Sequence, residues 1–569
     1  MPKKVSRKDR QESGTIVGRP RRRSISKREN DSVEASSASH KKIKLSTSQH
    51  VEQDLEKHYR IIDFLLVFST LSTLVKCVEC NGKIKFRTCK SEGIAFTIKV
   101  SCEKCKAPRY IPTSERVKTE SKQSYYEVNH RFAFVMRLLG LGLAGCNKFC
   151  GLMDLAESFL SRSCYNTHIQ KIHTTVNDVT KRFLAAAVKE EKEKTYEANN
   201  VEDSNELTIS GDGTWKKRGF TSLFGVSSLI GYYTGKVIDI FVKSSYCHQC
   251  KTWENKLGTA EFEEWHEEHV NSGDCKANHD GPSGNMEVNA IIQMFKRSAE
   301  YYGVMFKNYI GDGDSKTYSG VVNSKPYGED FTINKKECIG HVQKRMGTRL
   351  RELVKTTVVD SETKKGKKIK RKSLSGNGKL TAKMIDKLTV YYGLAIQRNH
   401  DCVTKMKNAI WATYYHYCST DEKPQHDKCP RGEDSWCEWQ KSAAANTLDS
   451  FKHSYNALPI DVTTAIKPIY EDLSKDALLQ RCLGGFTQNN TESLNQLIWR
   501  ISPKSVSDTA IVVEIAANVA ASVFNEGSFA LLAFLDEMGI STGPSAHQWA
   551  RLTDELRITR ANEEAALTH

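Results

Sequence analysis

Two short apolar runs, a hundred residues apart, lead into the same tripeptide. Glu206-Leu-Thr-Ile-Ser210 runs into Gly211-Asp212-Gly213, and Met305 to Ile310 runs into Gly311-Asp312-Gly313-Asp314. Short β-branched and aromatic runs bounded by glycine read as strands. Each strand therefore delivers an aspartate at its end. Adjacent strand ends can bring two such carboxylates close together, and one of them then takes up a proton unless a cation neutralises the pair. Magnesium, hard and oxygen-seeking, suits that role. Taken singly, an Asp-Gly pair is also an ordinary turn former.

The surrounding chain predicts a mixed sheet flanked by helices. Phe220 to Tyr233 and Val237 to Ser245 read as strands separated by Gly235, Glu287 to Tyr302 has helical periodicity, and Thr332 to Ile339 supplies a fifth strand. Hairpin-linked strands followed by alternating helix and strand belong to an α/β core. A third carboxylate, Glu492, opens a predicted helix within Thr487-Gln-Asn-Asn-Thr-Glu-Ser-Leu-Asn-Gln-Leu-Ile-Trp499. The core is expected over 205–345 and 485–504, with an insertion at 246–284, a helical insertion over 346–484, and closing helices over 505–569.

The flanking charge is basic. Lys and Arg total 84 against 68 Asp and Glu, a net of +16, and residues 1–50 alone carry a net of +9. A polyanionic partner is the natural expectation, because each phosphate contact releases counterions. Residues 1–55 read as a disordered basic tail holding Arg19, Arg21, Arg22 and Arg23, with a second run at Lys41-Lys-Ile-Lys44, both suited to nuclear import or phosphate contact. Lys367, Lys368, Lys370 and Arg371 form another basic run. Residues 126–204 read as helices, including Tyr165 to Tyr196, and could bind DNA, dimerise or simply pack. The opening is polar, not a secretory signal. The longest apolar stretch, Ile61 to Val75, is shorter than the roughly twenty residues a bilayer requires. The expectation is a soluble nuclear protein with no membrane partner.

Seventeen cysteines in such a setting call for metal or burial. Cys77, Cys80, Cys102 and Cys105 form two Cys-x-x-Cys knuckles in a β-rich module spanning 56–125, the pattern of a zinc ribbon. Cys247, Cys250, His269 and Cys275 make a second candidate site, in which His266 is a rival for His269. Cys418, His426, Cys429 and Cys437 make a third, in a polar loop (418–437) that needs a metal to hold its shape. Up to three structural Zn2+ ions are thus expected.

Four segments resemble Mutator-like element transposases: Ile209-Ser-Gly-Asp-Gly-Thr-Trp215, Tyr309-Ile-Gly-Asp-Gly-Asp-Ser-Lys316, Cys338-Ile-Gly-His341, and Thr487 to Asn495. The resemblance implies an RNase H-like fold with a helical insertion, and Asp212, Asp312 and Glu492 as catalytic residues holding two Mg2+ or Mn2+ ions. Asp314 is a rival for the second position. The resemblance places Cys338 and His341 near the active site, while their spacing equally fits half a zinc site. It implies cut-and-paste transposition on double-stranded DNA, with terminal inverted repeats and target DNA as partners and a homo-oligomer to bring two ends together. The alternative is a domesticated, non-catalytic nuclear DNA-binding protein kept for its zinc modules.

Overall fold

The computed structural model describes residues 37–44, 51–118, 124–200, 205–217, 221–311, 315–362, 368–505 and 509–568. Arg19, Arg21, Arg22, Arg23, Asp312, Asp314 and Lys367 fall outside the described residues.

The N-terminal third mixes helix and ribbon. Helix α1 (Ala38–Lys44) lies within the segment expected to be disordered. Its Lys42 is buried, with Nζ donating to the Gly235 carbonyl at 3.3 Å, so that lysine of the Lys41–Lys44 run does not face solvent for phosphate contact. The apolar stretch from Ile61, expected within a β-rich module, instead forms helix α2 (Phe64–Leu74), capped by Asp63, whose carboxylate accepts from Leu66 N. Strands β1 (Ile84–Glu92), β2 (Ala95–Cys102) and β3 (Arg109–Pro112) form an antiparallel ribbon, and β4 (Arg116–Lys118) pairs with β5 (Ser124–Tyr126). Helices α3 (Glu127–Leu138), α4 (Leu143–Leu152) and α5 (Arg162–Asn199) follow. Ile169, Ile172, Val176, Val179 and Phe183 run down one buried face of α5, as their spacing predicts.

Strands β6 (Glu206–Trp215), β7 (Phe224–Gly231) and β8 (Val237–Ser244) are antiparallel neighbours. The excursion between sheet elements holds α6 (His248–Thr252) and α7 (Ala260–Asn271), and then α8 (Asn285–Tyr302) leads to β9 (Met305–Gly311). Helix α9 (Ser315–Asn323) and strand β10 (Asn334–Glu337) complete a five-stranded sheet in the order β10-β9-β6-β7-β8, with β9 parallel to both β6 and β10. The backbone of β8, an edge strand, is masked by side chains: Asn525 serves both backbone groups of Val237, and Asn278 serves Ser244 N and Val242 O. Such masking removes a template for strand addition.

Helix α10 (Ile339–Thr356) opens the helical insertion. The basic run expected there falls on a hairpin, β11 (Val358–Glu362) with β12 (Lys368–Lys372), rather than on a helix; the side chains of Lys368, Lys370 and Arg371 lie outside the described residues. Helices α11 (Ala382–Gln397), α12 (Val403–Cys418), α13 (Glu438–Ala444), α14 (Ile460–Leu473) and α15 (Asp476–Cys482) follow. Val342, Met346, Leu388, Tyr392, Ile410, Ile466 and Tyr470 give this insertion a core of its own. Helices α16 (Asn489–Ile501), α17 (Ala510–Glu526), α18 (Phe529–Glu537) and α19 (Pro544–Thr568) end the chain.

The sheet is covered on both faces, which is why β7 is buried at every position. Val226, Ile230, Val237 and Val242 pack with α5, α16 and α17. Leu207, Ile209, Leu229 and Phe306 pack with Ile291, Met294 and Phe295 of α8. The result is a mixed α/β molecule. No single helix among the described residues is long and apolar enough to cross a membrane.

Candidate active site and metal centres

Asp212 does not sit at a strand end, as the sequence suggests, but inside β6. Pairing with β7 continues from Ile209 to Trp215, with Asp212 opposite Ser228, whereas pairing with β9 stops at Ser210 opposite Ile310. The Gly211-Asp212-Gly213 segment stays extended because one neighbour continues where the other ends. On the β9 side the chain is open, and Gly311, the last residue of β9, precedes Asp312.

The N-terminus of α16 closes over this gap. Gln488, immediately before the helix, is buried, and its Nε2 donates to Gly211 O at 3.0 Å and to Ile310 O at 3.4 Å. One side chain thus ties the glutamate helix to both aspartate strands. Asn495 donates to Asp212 Oδ2 at 2.9 Å, and Trp499 Nε1 donates to Thr214 Oγ1 at 2.8 Å. Leu494, Ile498 and Ile501 face the core on the other side of α16. Glu492 lies in the first turn, 62% exposed, 3.6 Å from Lys344 Nζ of α10. An exposed pair of that kind holds its partners only weakly.

A fourth carboxylate flanks the gap. Glu287, in the first turn of α8, lies so near Gly213 that a Cβ there would meet Glu287 Oε2 at 2.5 Å. Thr317 Oγ1 of α9 donates to Glu287 Oε1 at 3.2 Å. Cys338 precedes α10 and is buried with Ile310 and Phe486, and Ile339 N donates to Phe486 O at 2.9 Å. Cys338 and His341 join no metal-competent cluster among the described residues. Cys338 is a packing thiol beside the end of β9.

Three Cys/His groups gather their ligand atoms within 4.8 Å of one another. The first is Cys77, Cys80, Cys102 and Cys105, with Cys80–Cys102 sulfurs 3.3 Å apart and Cys77–Cys105 sulfurs 3.7 Å apart. A tetrahedral tetrathiolate site with zinc–sulfur bonds near 2.3 Å has sulfur–sulfur edges of about 3.8 Å. These distances fit an ion at the centre and are far too long for disulfides. Gly82 is required here, since a Cβ would lie 3.0 Å from Cys102 Sγ and 3.2 Å from Cys80 Sγ. Backbone N–H groups of Cys105 and Lys104 pull the Cys102 thiol down to about 6, so it reaches the thiolate form readily.

The second group is Cys247, Cys250, His269 and Cys275. Burial pushes the Cys247 thiol up, but N–H groups of Cys250 and Lys276 together with His269 bring it down to about 6. Trp253 stacks on Trp265 at 4.6 Å, and Trp265 on His269 at 4.8 Å, which fixes the imidazole. His266 stacks on Phe262 instead.

The third group corrects the sequence reading. It comprises His416, His426, Cys429 and Cys437, all buried, and Cys418 is not among them. The two candidates are two residues apart on α12, about 200° around the helix at 3.6 residues per turn, so only one can face the loop. Cys418 packs on the insertion's core, where burial raises its thiol. The Cys429 thiol donates to Cys437, whose thiolate is further held by His416 and His426. Behind His426, Nε2 meets Ser419 Oγ at 2.8 Å and His453 Nε2 at 2.9 Å, and His453 is held in turn by Asp421. Partners of this sort orient a metal-binding imidazole. Cys146, Cys150 and Cys482 are core thiols.

Sequence reasoning did not single out Gln488, Glu287, His416 or His453. Gln488 and Asn495 stand within the quoted glutamate segment but carry no chemistry until the strands are placed beside them.

No curated protein and no solved structure matches the chain. The family model described as Mutator-like transposase matches residues 58–437. That span contains Asp212, both Asp-Gly segments, the Cys338–His341 motif and all three Cys/His groups, and stops before Glu492. Two thirds of the sequence matches, and the chain therefore belongs to the Mutator-like transposase family.

Proposed function

We propose that this protein is a nuclear DNA transposase that cleaves and joins phosphodiester bonds at a centre built from Asp212, Asp312 and Glu492 on an RNase H-like core. What carries the reading is Gln488, whose amide links the middle of β6 and the end of β9 to the start of α16, so that three carboxylate-bearing segments converge. The sheet order supports it too: three antiparallel strands, then two parallel ones, with Asp212 on the central strand and Asp312 following directly in sequence on the strand beside it.

The donors suit a hard divalent cation, being carboxylate oxygens at the mouth of a covered sheet. Asp212, Asp312 and Glu492 would hold two Mg2+ or Mn2+ ions, which supply an activated oxygen nucleophile and neutralise charge on the leaving oxygen. Asn495 orients the Asp212 carboxylate by donating to Oδ2. Lys344, next to Glu492, is placed to meet a phosphate. The three Cys/His groups would hold structural zinc, while Arg19–Arg23 and Lys367–Arg371 contact the DNA backbone of terminal inverted repeats and target.

The test is a plasmid carrying the genomic flanks of the coding sequence, incubated with purified chain and magnesium or manganese. The wild type should nick and join this DNA, and Asp212→Asn and Glu492→Gln should bind it without cutting. Equal cleavage by Asp212→Asn would sink the proposal. Specific duplex binding with no metal-dependent cleavage by the wild type would leave the domesticated DNA-binding reading.

A further inference from the structure

Helix α2 has two unlike faces, and among the described residues only one of them is packed. Phe64 packs edge-on against Phe96 at 5.7 Å and Phe68 against Phe86 at 5.1 Å, seating the helix on the zinc-ribbon module. The other face carries Leu66 and Leu74 at 69% and 74% exposure, and Leu65 on the flank of the helix is exposed too. Ile61 and Ile62, on the chain leading into the helix, are exposed as well. The helix sequence, Phe-Leu-Leu-Val-Phe-Ser-Thr-Leu-Ser-Thr-Leu, contains no charged residue. Contiguous exposed apolar surface of this kind marks an interaction site.

We propose that this face joins two copies of the chain, α2 packing antiparallel on α2 of the partner subunit about a two-fold axis. The spacing favours self-recognition. Leu66, Thr70 and Leu74 follow one another at four-residue intervals along the helix. Rows at that interval form the ridges that interdigitate when helices pack. With the axis at Thr70, Leu66 meets Leu74 of the partner subunit. Ser69, Thr70 and Thr73, small and exposed, let the helices approach closely.

Charge gives the same direction. Asp63 lies at the start of α2 and Lys76 just past its end, so antiparallel packing sets each beside its opposite, and parallel packing would set like against like. Other occupants fit less well. DNA finds no cation on the helix. Membrane-surface helices carry Lys and Arg on their polar face, and α2 has none. Residues 1–36 contain no Leu, Phe, Tyr or Trp with which to cover such a patch. The inference does not depend on whether the protein cuts DNA.

The experiment weighs the full-length, zinc-loaded chain by light scattering and sedimentation across the micromolar range. Wild type should run at twice the chain mass. Leu66→Glu and Leu74→Lys should each run as monomers with unchanged zinc content and circular dichroism. Mixing the two should restore the dimer, because the introduced carboxylate of one then faces the introduced ammonium of the other. Should either variant fold poorly, hydrogen exchange of the wild type reads the same contact: amides of Phe64–Leu74 should gain protection as concentration rises. A monomeric wild type, a dimer untouched by both substitutions, or variants that do not recombine would overturn the proposal. Binding of a monomeric wild type to phosphatidylserine vesicles, lost in Leu66→Glu, would reassign the face to lipid.

Discussion

Asn495 and Asp212 are 283 residues apart in sequence, yet the Asn495 amide donates to Asp212 Oδ2 at 2.9 Å. Glu492 and Asn495 are three residues apart in α16, on one side of the helix. The helix that carries the proposed third ligand thus also orients the first. Asp212→Asn is expected to remove several kcal/mol of transition-state stabilisation, about a thousandfold or more in cleavage rate. Asn495→Ala should keep the reaction but weaken metal activation by about ten- to a hundredfold. Titrating manganese against the cleavage rate measures both, and an unchanged manganese requirement in Asn495→Ala would show that the amide has no such role.

Glu287 should behave as a strut between Gly213 and Thr317, the two flanks of the aspartate gap. Its loss to Ala opens a void beside Asp212 and is expected to lower turnover by about tenfold or more, with Gln retaining most of it. Equal activity of Glu287→Ala and wild type at limiting manganese would remove Glu287 from the site.

Zinc content gives a count and an assignment. Elemental analysis of the purified chain should give three zinc ions, and His416→Ala should give two. Cys418→Ala should keep all three, because its sulfur faces the insertion's core. Loss of an ion from Cys418→Ala with none lost from His416→Ala would restore the ligand set read from sequence. Chelation should destabilise the modules, since metal binding there is folding energy.

Acid should destabilise the fold through His130 and His168. Their Nδ1 atoms lie 2.8 Å apart, buried, an arrangement in which one ring must be neutral to accept and two charged rings would repel. Burial, reinforced for His130 by His168 and for both by Lys171, lowers His130 to about 3 and His168 to about 4. The folded state therefore resists protonation while the unfolded chain takes protons near 6.5. Stability is full above that value and falls as pH drops from 6.5 towards 4, by about 2 kcal/mol per histidine at pH 5. Melting temperature against pH, compared between wild type and His130→Phe/His168→Leu, isolates the effect. An equal slope in the double variant would assign the acid sensitivity elsewhere.

The parts of this protein that sequence alone determined are those where the physics is local. Cys77 with Cys80 and Cys102 with Cys105 lie in tight turns, so their spacing already sets two pairs of thiols side by side. The strands around Gly211 and Gly311 are legible because apolar periodicity and glycine punctuation act over a few residues. Helices α5 and α8 announce themselves the same way. Tertiary structure decided everything that needed a second segment. Asp212 remains in a strand because β7 runs on past β9, which no property of Gly-Asp-Gly encodes. His416 displaces Cys418 because α12 is anchored by its buried face, and that anchoring selects which side meets the loop. Lys42 is buried, although its sequence context is that of a solvated basic tail, because Gly235 O and the Phe524 ring lie where α1 docks. Gln488 gains its role only when two neighbouring strands present their carbonyl oxygens to one amide. A hydrogen bond or a packed face is a property of two places at once, and the linear chain specifies only one of them at a time.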